Sequence, residues 1–188
     1  MRPTGHIHSA SIALALLLVY NDHISLTNMI LFLCGSILVD IDIIFSYVSP
    51  SRKNHRKFLT HYPPIYLILI LVFVFLEISS LVWFIGGVLF HLCFDWFDWG
   101  LPYVPLYPNA KLTPHLLTEP VHVNDEMYFF EEYWSNKIIL ILEAILFLGF
   151  ICSIFILPLN IILVIVVIDI FLTFEIVLHL SKLRTIKA

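Results

Sequence analysis

His91 and Asp95 stand four positions apart in "GGVLFHLCFDWFD". That spacing puts an imidazole and a carboxylate on one helix face, where they can bind one ion or two neighbouring ions. Asp40 and Asp42 stand two apart in "GSILVDID". On a straight helix this points them about 200° from each other, so they share a site only where the helix loosens. His6 and His8, in "GHIHSA", carry the same restriction. The passage "SRKNHRKFLTHYPP" adds His55 and His61 and holds Arg52, Lys53, Arg56 and Lys57, four of the ten basic residues in the chain. A lone acid at the end of an apolar helix usually caps or snorkels. Asp40 and Asp95 are set within apolar runs, where a carboxylate costs about 2.5 to 3.5 kcal/mol and needs a partner. A bound cation neutralises both at once.

The elements that must position these residues follow from composition. The chain has 188 residues, of which 60% are hydrophobic and 13% charged, with a mean hydropathy of +0.96. These values lie outside the range of soluble domains and imply an all-α, polytopic integral membrane protein. Lys and Arg are absent from 3–51, 58–110, 112–136 and 138–181, the pattern of apolar spans joined by short loops. Six transmembrane helices are expected near 4–20, 28–47, 63–78, 80–97, 137–157 and 160–180. The stretch 63–97 must turn near Glu77 to Ser80, because an unbroken helix there would run about 50 Å. Pro158 and Asn160 divide the last stretch. The apolar run after Arg2 reads as a retained first helix and not a signal peptide, because histidines precede it and further spans follow.

With the N-terminus inside, all ten basic residues fall on the cytoplasmic side, as expected of a multi-pass protein of the cell membrane with both termini cytoplasmic. The chain then reads as one integral membrane domain over 1–188. Within it lie a site-bearing core at 5–108, an irregular cytoplasmic segment at 98–136 and a C-terminal helix pair at 137–180. His6, His8, Asp40, Asp42, His55, His61, His91 and Asp95 converge on the cytoplasmic face. Glu143, Asp169 and Glu175, in the last two helices, lack histidine neighbours and read as interhelical hydrogen-bonding groups. Cys34, Cys93 and Cys152 show no CxxC pairing and read as reduced, buried side chains. No basic tail suggests a nucleic acid partner.

Taken in order, "GHIHSA", "GSILVDID", "HRKFLTH" and "GGVLFHLCFDWFDWGLPYVPLYP" resemble the blocks of the YdjM-like membrane-bound metal-dependent hydrolases. The resemblance covers residues 5 to about 108. Val39 and Ile43 stand where that pattern has Pro and His, and the His-Arg block carries one extra residue before Thr60. The family is similar in turn to zinc-dependent phospholipase C and related zinc nucleases. The resemblance therefore implies two or three divalent ions, zinc foremost. His6, Asp40, either His55 or His61, His91 and Asp95 would be ligands, Asp95 a candidate bridge and Asp42 a weaker candidate. "HVNDE" supplies a further pair, His122 and Glu126, at the spacing those zinc enzymes use.

The function expected is a membrane-bound hydrolase at the cytoplasmic face, acting on a phosphoester or lipid-linked substrate, with membrane lipid as its surroundings. Bound cations would acidify a water toward about pH 7. Asp95 would sit at the reacting centre, and Arg56 would hold phosphoryl oxygens through its planar fork. Two rivals use the same residues. A metal or proton transporter would continue polar groups to the outer face, where Asp22 and Glu77 are the only acids. A non-catalytic scaffold would use the metal as a staple, since closed and open sites can share ligands.

Overall fold

A computed structural model describes residues 3–42, 59–98, 136–171 and 173. Among these the chain is all-α. Six α-helices are present: α1 (Pro3–Tyr20), α2 (Leu26–Leu38), α3 (Pro63–Phe75), α4 (Ser79–Asp98), α5 (Lys137–Ser153) and α6 (Leu159–Phe171). Short 3-10 turns at Val39–Asp42 and Leu59–His61 close the gap between α2 and α3 from either side. Among the described residues only one helix, over Ser79–Trp96 within α4, is long and apolar enough to cross a membrane. The other apolar helices are shorter, so the expectation of six full spans meets helices such as α3, whose 13 residues reach about 20 Å.

Local chemistry explains the ends. Ser25 caps α2 by accepting from the backbone N–H of Asn28, and Asn136 caps α5 by accepting from those of Ile138 and Ile139. Pro63 opens α3, where its missing N–H costs no hydrogen bond. The turn expected near Glu77 is present and begins earlier, at Leu76. The N–H of Ile78 donates to Phe73 and that of Glu77 to Val74, a Schellman closure that places Glu77 at φ 57°. The second expected helix, 28–47, also differs: α-helical hydrogen bonding stops at Leu38 and tightens into a 3-10 turn through Asp42.

The main core lies where α1 meets α2, α5 and α6. It is built from Ile7, Ala10 and Leu14 of α1, Phe32 and Leu33 of α2, Phe150 of α5, and Ile161 and Ile165 of α6. A smaller cluster of Val39, Val88 and Leu92 joins α2 to α4 next to the site residues. Many outer side chains are apolar and exposed, among them Leu67, Ile68 and Leu71 of α3, Ile141 and Leu148 of α5, and Val167 and Ile170 of α6. No side chain of α3 is buried.

The α2–α4 contact sets up the site. Phe32 meets Gly87 and Ser36 meets His91, so the two helices advance together and run parallel. A Cβ on Gly35 would lie 2.1 Å from the carbonyl oxygen of Phe84, and one on Gly87 would lie 2.0 Å from that of Phe32. Only glycine permits this backbone-on-backbone approach, the use to which small residues are put where helices associate without water. One turn further along, the same approach brings the end of α2 against His91.

Candidate metal centre

Asp40, His61, His91 and Asp95 offer ligand atoms that all lie within 4.8 Å of one another. They come from three local structures. Asp40 sits in the 3-10 turn beyond α2, His61 in the 3-10 turn before α3, and His91 and Asp95 one turn apart on α4. His91 Nε2 lies 3.2 Å from Asp95 Oδ2 and 3.5 Å from Asp40 Oδ1. His61 Nε2 lies 3.5 Å from Asp95 Oδ2 and 3.9 Å from Asp40 Oδ1. Donors on a tetrahedral ion with bonds of about 2.0 to 2.1 Å are about 3.4 Å apart. The four separations bracket that value.

The tautomer of His91 follows from its neighbour. Its Nδ1 lies 2.8 Å from the backbone carbonyl of Ser36, which can only accept, so Nδ1 carries the proton. The neutral ring then presents a lone pair at Nε2, toward two carboxylate oxygens. Nothing among the described residues donates to that nitrogen. A lone pair aimed at two carboxylates is repulsive unless a cation lies between them. Two neutral imidazoles and two carboxylates also balance the charge of a divalent ion. The donor set of nitrogen and oxygen, without sulfur, suits zinc and other first-row divalent metals.

Burial raises the stakes. His61, His91 and Asp95 are 0% exposed, and Asp40, at 17%, is the most open of the four.

His6 adjoins this group from the first turns of α1. Its ring stacks on His91 at 3.8 Å and 22°, and its Nε2 lies 3.4 Å from Asp95 Oδ1. Asp95 therefore turns one oxygen toward His61 and His91 and the other toward His6. Both ring nitrogens of His6 are buried and make no hydrogen bond among the described residues.

Of the residues expected from sequence, the structure thus brings His6, Asp40, His61, His91 and Asp95 together. It admits His61 to the cluster, where the choice between His55 and His61 stood open. His55, Arg56, His122 and Glu126 lie outside the described residues, as does the side chain of Asp42. One contributor escaped the sequence reading. Ser36 acts through its carbonyl, which no side-chain pattern reveals. The near-contact that brings it to His91 is signalled only by Gly35 and Gly87. His8 turns away from the cluster and bonds Asp169 of α6.

Fold and site together define an all-α protein carrying a buried His/Asp cluster that can hold a metal ion. Comparison with models of known protein families, with curated proteins and with solved structures returned no match to this chain.

Proposed function

We propose that this chain is a multi-pass protein of the cell membrane that binds divalent metal, zinc foremost, and hydrolyses a phosphoester or lipid-linked substrate at the cytoplasmic face, where both termini also lie. The observation that carries the reading is the convergence of Asp40, His61, His91 and Asp95 at ligand spacing, with the His91 ring locked by the Ser36 carbonyl. The apolar outer surfaces of α3, α5 and α6 support the membrane assignment, because a soluble chain would not leave such faces in water. The cluster draws on three of the four blocks that resemble those of YdjM-like hydrolases, and His6, from the fourth, adjoins it.

A divalent ion held here would lower the pKa of a bound water toward about 7. The chain's own groups do the rest. Asp95 divides its oxygens between the four-residue cluster and His6, so Asp95 and His6 are the residues that would hold a second ion. Asp40, the most open of the ligands, faces the side from which a substrate enters. Arg56, in the basic loop, is assigned to the phosphoryl oxygens. Membrane lipid is the expected surrounding and nucleic acid is not an expected partner.

A second reading, a structural staple, has one observation in its favour: four protein donors complete a tetrahedral shell. The test separates the two. The purified chain in detergent is assayed for bound metal by inductively coupled plasma mass spectrometry, as wild type, His91→Ala and Asp95→Ala, and then screened on phospholipid and phosphodiester substrates. Stoichiometric metal lost in both variants, with metal-dependent hydrolysis in the wild type, supports the hydrolase. Metal without turnover supports the staple. A folded wild type that neither carries nor takes up metal refutes both.

A further inference from the structure

His8 and Asp169 lie outside the metal cluster, yet a side-chain hydrogen bond between them joins α1 to α6. His8 Nε2 donates to Asp169 Oδ2 at 2.8 Å across 161 positions of chain. The His8 ring stacks on Phe150 of α5 at 4.7 Å and 13°, and meets Phe147 at 5.6 Å. An acid within an apolar helix is costly without such a partner.

The packing of α1 says what this bond is for. The helix leans far more on α5 than on α4, although α4 carries the residues that His6 must meet. Phe150, Ile161 and Ile165 share a core with Ile7, Ala10 and Leu14, and Gly149 approaches Ile12 so closely that a Cβ would lie 2.7 Å from its Cδ1. These contacts are apolar and tolerate sliding. The hydrogen bond does not, because it is directional and fixes both the rotation and the height of the first turns of α1. His6 is two residues from His8 and projects about 200° away, so what holds His8 on one side aims His6 on the other.

We propose that His8 and Asp169 are positioning residues: their bond anchors α1 to the C-terminal helix pair and thereby holds His6 against Asp95 and His91. The C-terminal pair, which gives no described residue to the cluster, is in this way part of its scaffold. For its consequence on metal binding the inference rests on the metal-site reading, and its primary test does not.

That test is carbethoxylation of histidines by diethyl pyrocarbonate on the purified full chain in detergent, read residue by residue by mass spectrometry. His6 and His91 are both buried in the wild type and label slowly. In Asp169→Leu, and in the apolar double variant His8→Phe/Asp169→Leu that strands no buried polar group, His6 is expected to label at least several-fold faster while His91 keeps its wild-type rate. The exchange His8→Asp/Asp169→His is expected to restore slow labelling of His6. Cobalt(II) titration adds a second readout. Affinity is expected to fall about 10-fold, as when other supporting partners of metal ligands are lost, with a changed visible spectrum that the exchange variant recovers. Wild-type labelling of His6 in the folded double variant would overturn the proposal, since packing alone would then position α1. So would equal acceleration at His6 and His91 in every variant, which marks general loosening. A wild type that takes up no cobalt refutes the metal reading and leaves the labelling result standing.

Discussion

Replacing Gly87 with alanine tests whether the closeness of α2 and α4 makes the metal site. The added Cβ would lie 2.0 Å from the carbonyl oxygen of Phe32 and 2.9 Å from its carbon. Both are backbone atoms, so no side-chain rotation relieves the clash. An ordinary carbon–oxygen approach is about 3.3 Å, and reaching it requires the helices to separate by about 1.3 Å. One turn along, the same separation stretches the 2.8 Å contact between Ser36 and His91 Nδ1 to about 4 Å, beyond any hydrogen bond. His91 then loses the partner that fixes its tautomer, and Asp40 withdraws from its Nε2.

The expected cost is about 1 to 3 kcal/mol of stability from overpacking and a drop in metal affinity of about 10- to 100-fold from the lost supporting bond. The assay is competition for zinc against a chelator of known affinity, alongside thermal unfolding in detergent. Gly86→Ala is the control. Its Cβ would meet only Phe32 ring carbons, at 3.9 Å, an ordinary contact, and alanine gains up to about 1 kcal/mol in a helix interior. Gly87→Ala with wild-type metal affinity, or Gly86→Ala with an equal loss, would refute the reasoning.

Three further outcomes are expected. Glu77→Gly should raise thermal stability by about 1 kcal/mol, because Glu77 sits at φ 57° in a left-handed cap that glycine occupies without steric cost; an unchanged or lower unfolding temperature would count against it. Asn136→Ala should cost about 1 kcal/mol by stripping the cap from two N–H groups of α5, read by the same unfolding experiment, with metal content unchanged. Lowering pH from about 7 to 5 should release metal as His61 and His91 take up protons. Metal content that stays unchanged between pH 7 and 5 would contradict this expectation.

The parts of the site that could be read from sequence were those written in side chains at a regular spacing. His91 and Asp95 announce themselves by a helical interval of four, and Asp40 by standing where an apolar helix has no use for a carboxylate. The place of His61 could not be read this way. It depends on a 3-10 turn at Leu59–His61 just ahead of the prolines of α3, and an irregular turn has no period to read. The end of α2 was hidden for a related reason: "VDID" contains neither glycine nor proline, yet the helix tightens there. That tightening is what turns Asp40 into the cluster. Ser36 was illegible altogether, because it acts through a backbone carbonyl and every residue has one.

Asp169 marks the boundary between these cases. Its type and apolar setting predict an interhelical hydrogen bond, and nothing in its own neighbourhood says with what. The partner, His8, lies 161 positions away on a helix packed against it by apolar side chains. Sequence can therefore state the need that a buried carboxylate creates, while the packing of helices decides who meets it. Among the described residues three of these acids face histidine: Asp169 faces His8, Asp95 faces His6, His61 and His91, and Asp40 faces His61 and His91. What separates the metal cluster from an ordinary pair is number and direction. One imidazole donating to one carboxylate satisfies both groups, whereas here two carboxylates and two imidazoles, one of which has its only proton committed to Ser36, converge at the spacing of metal donors.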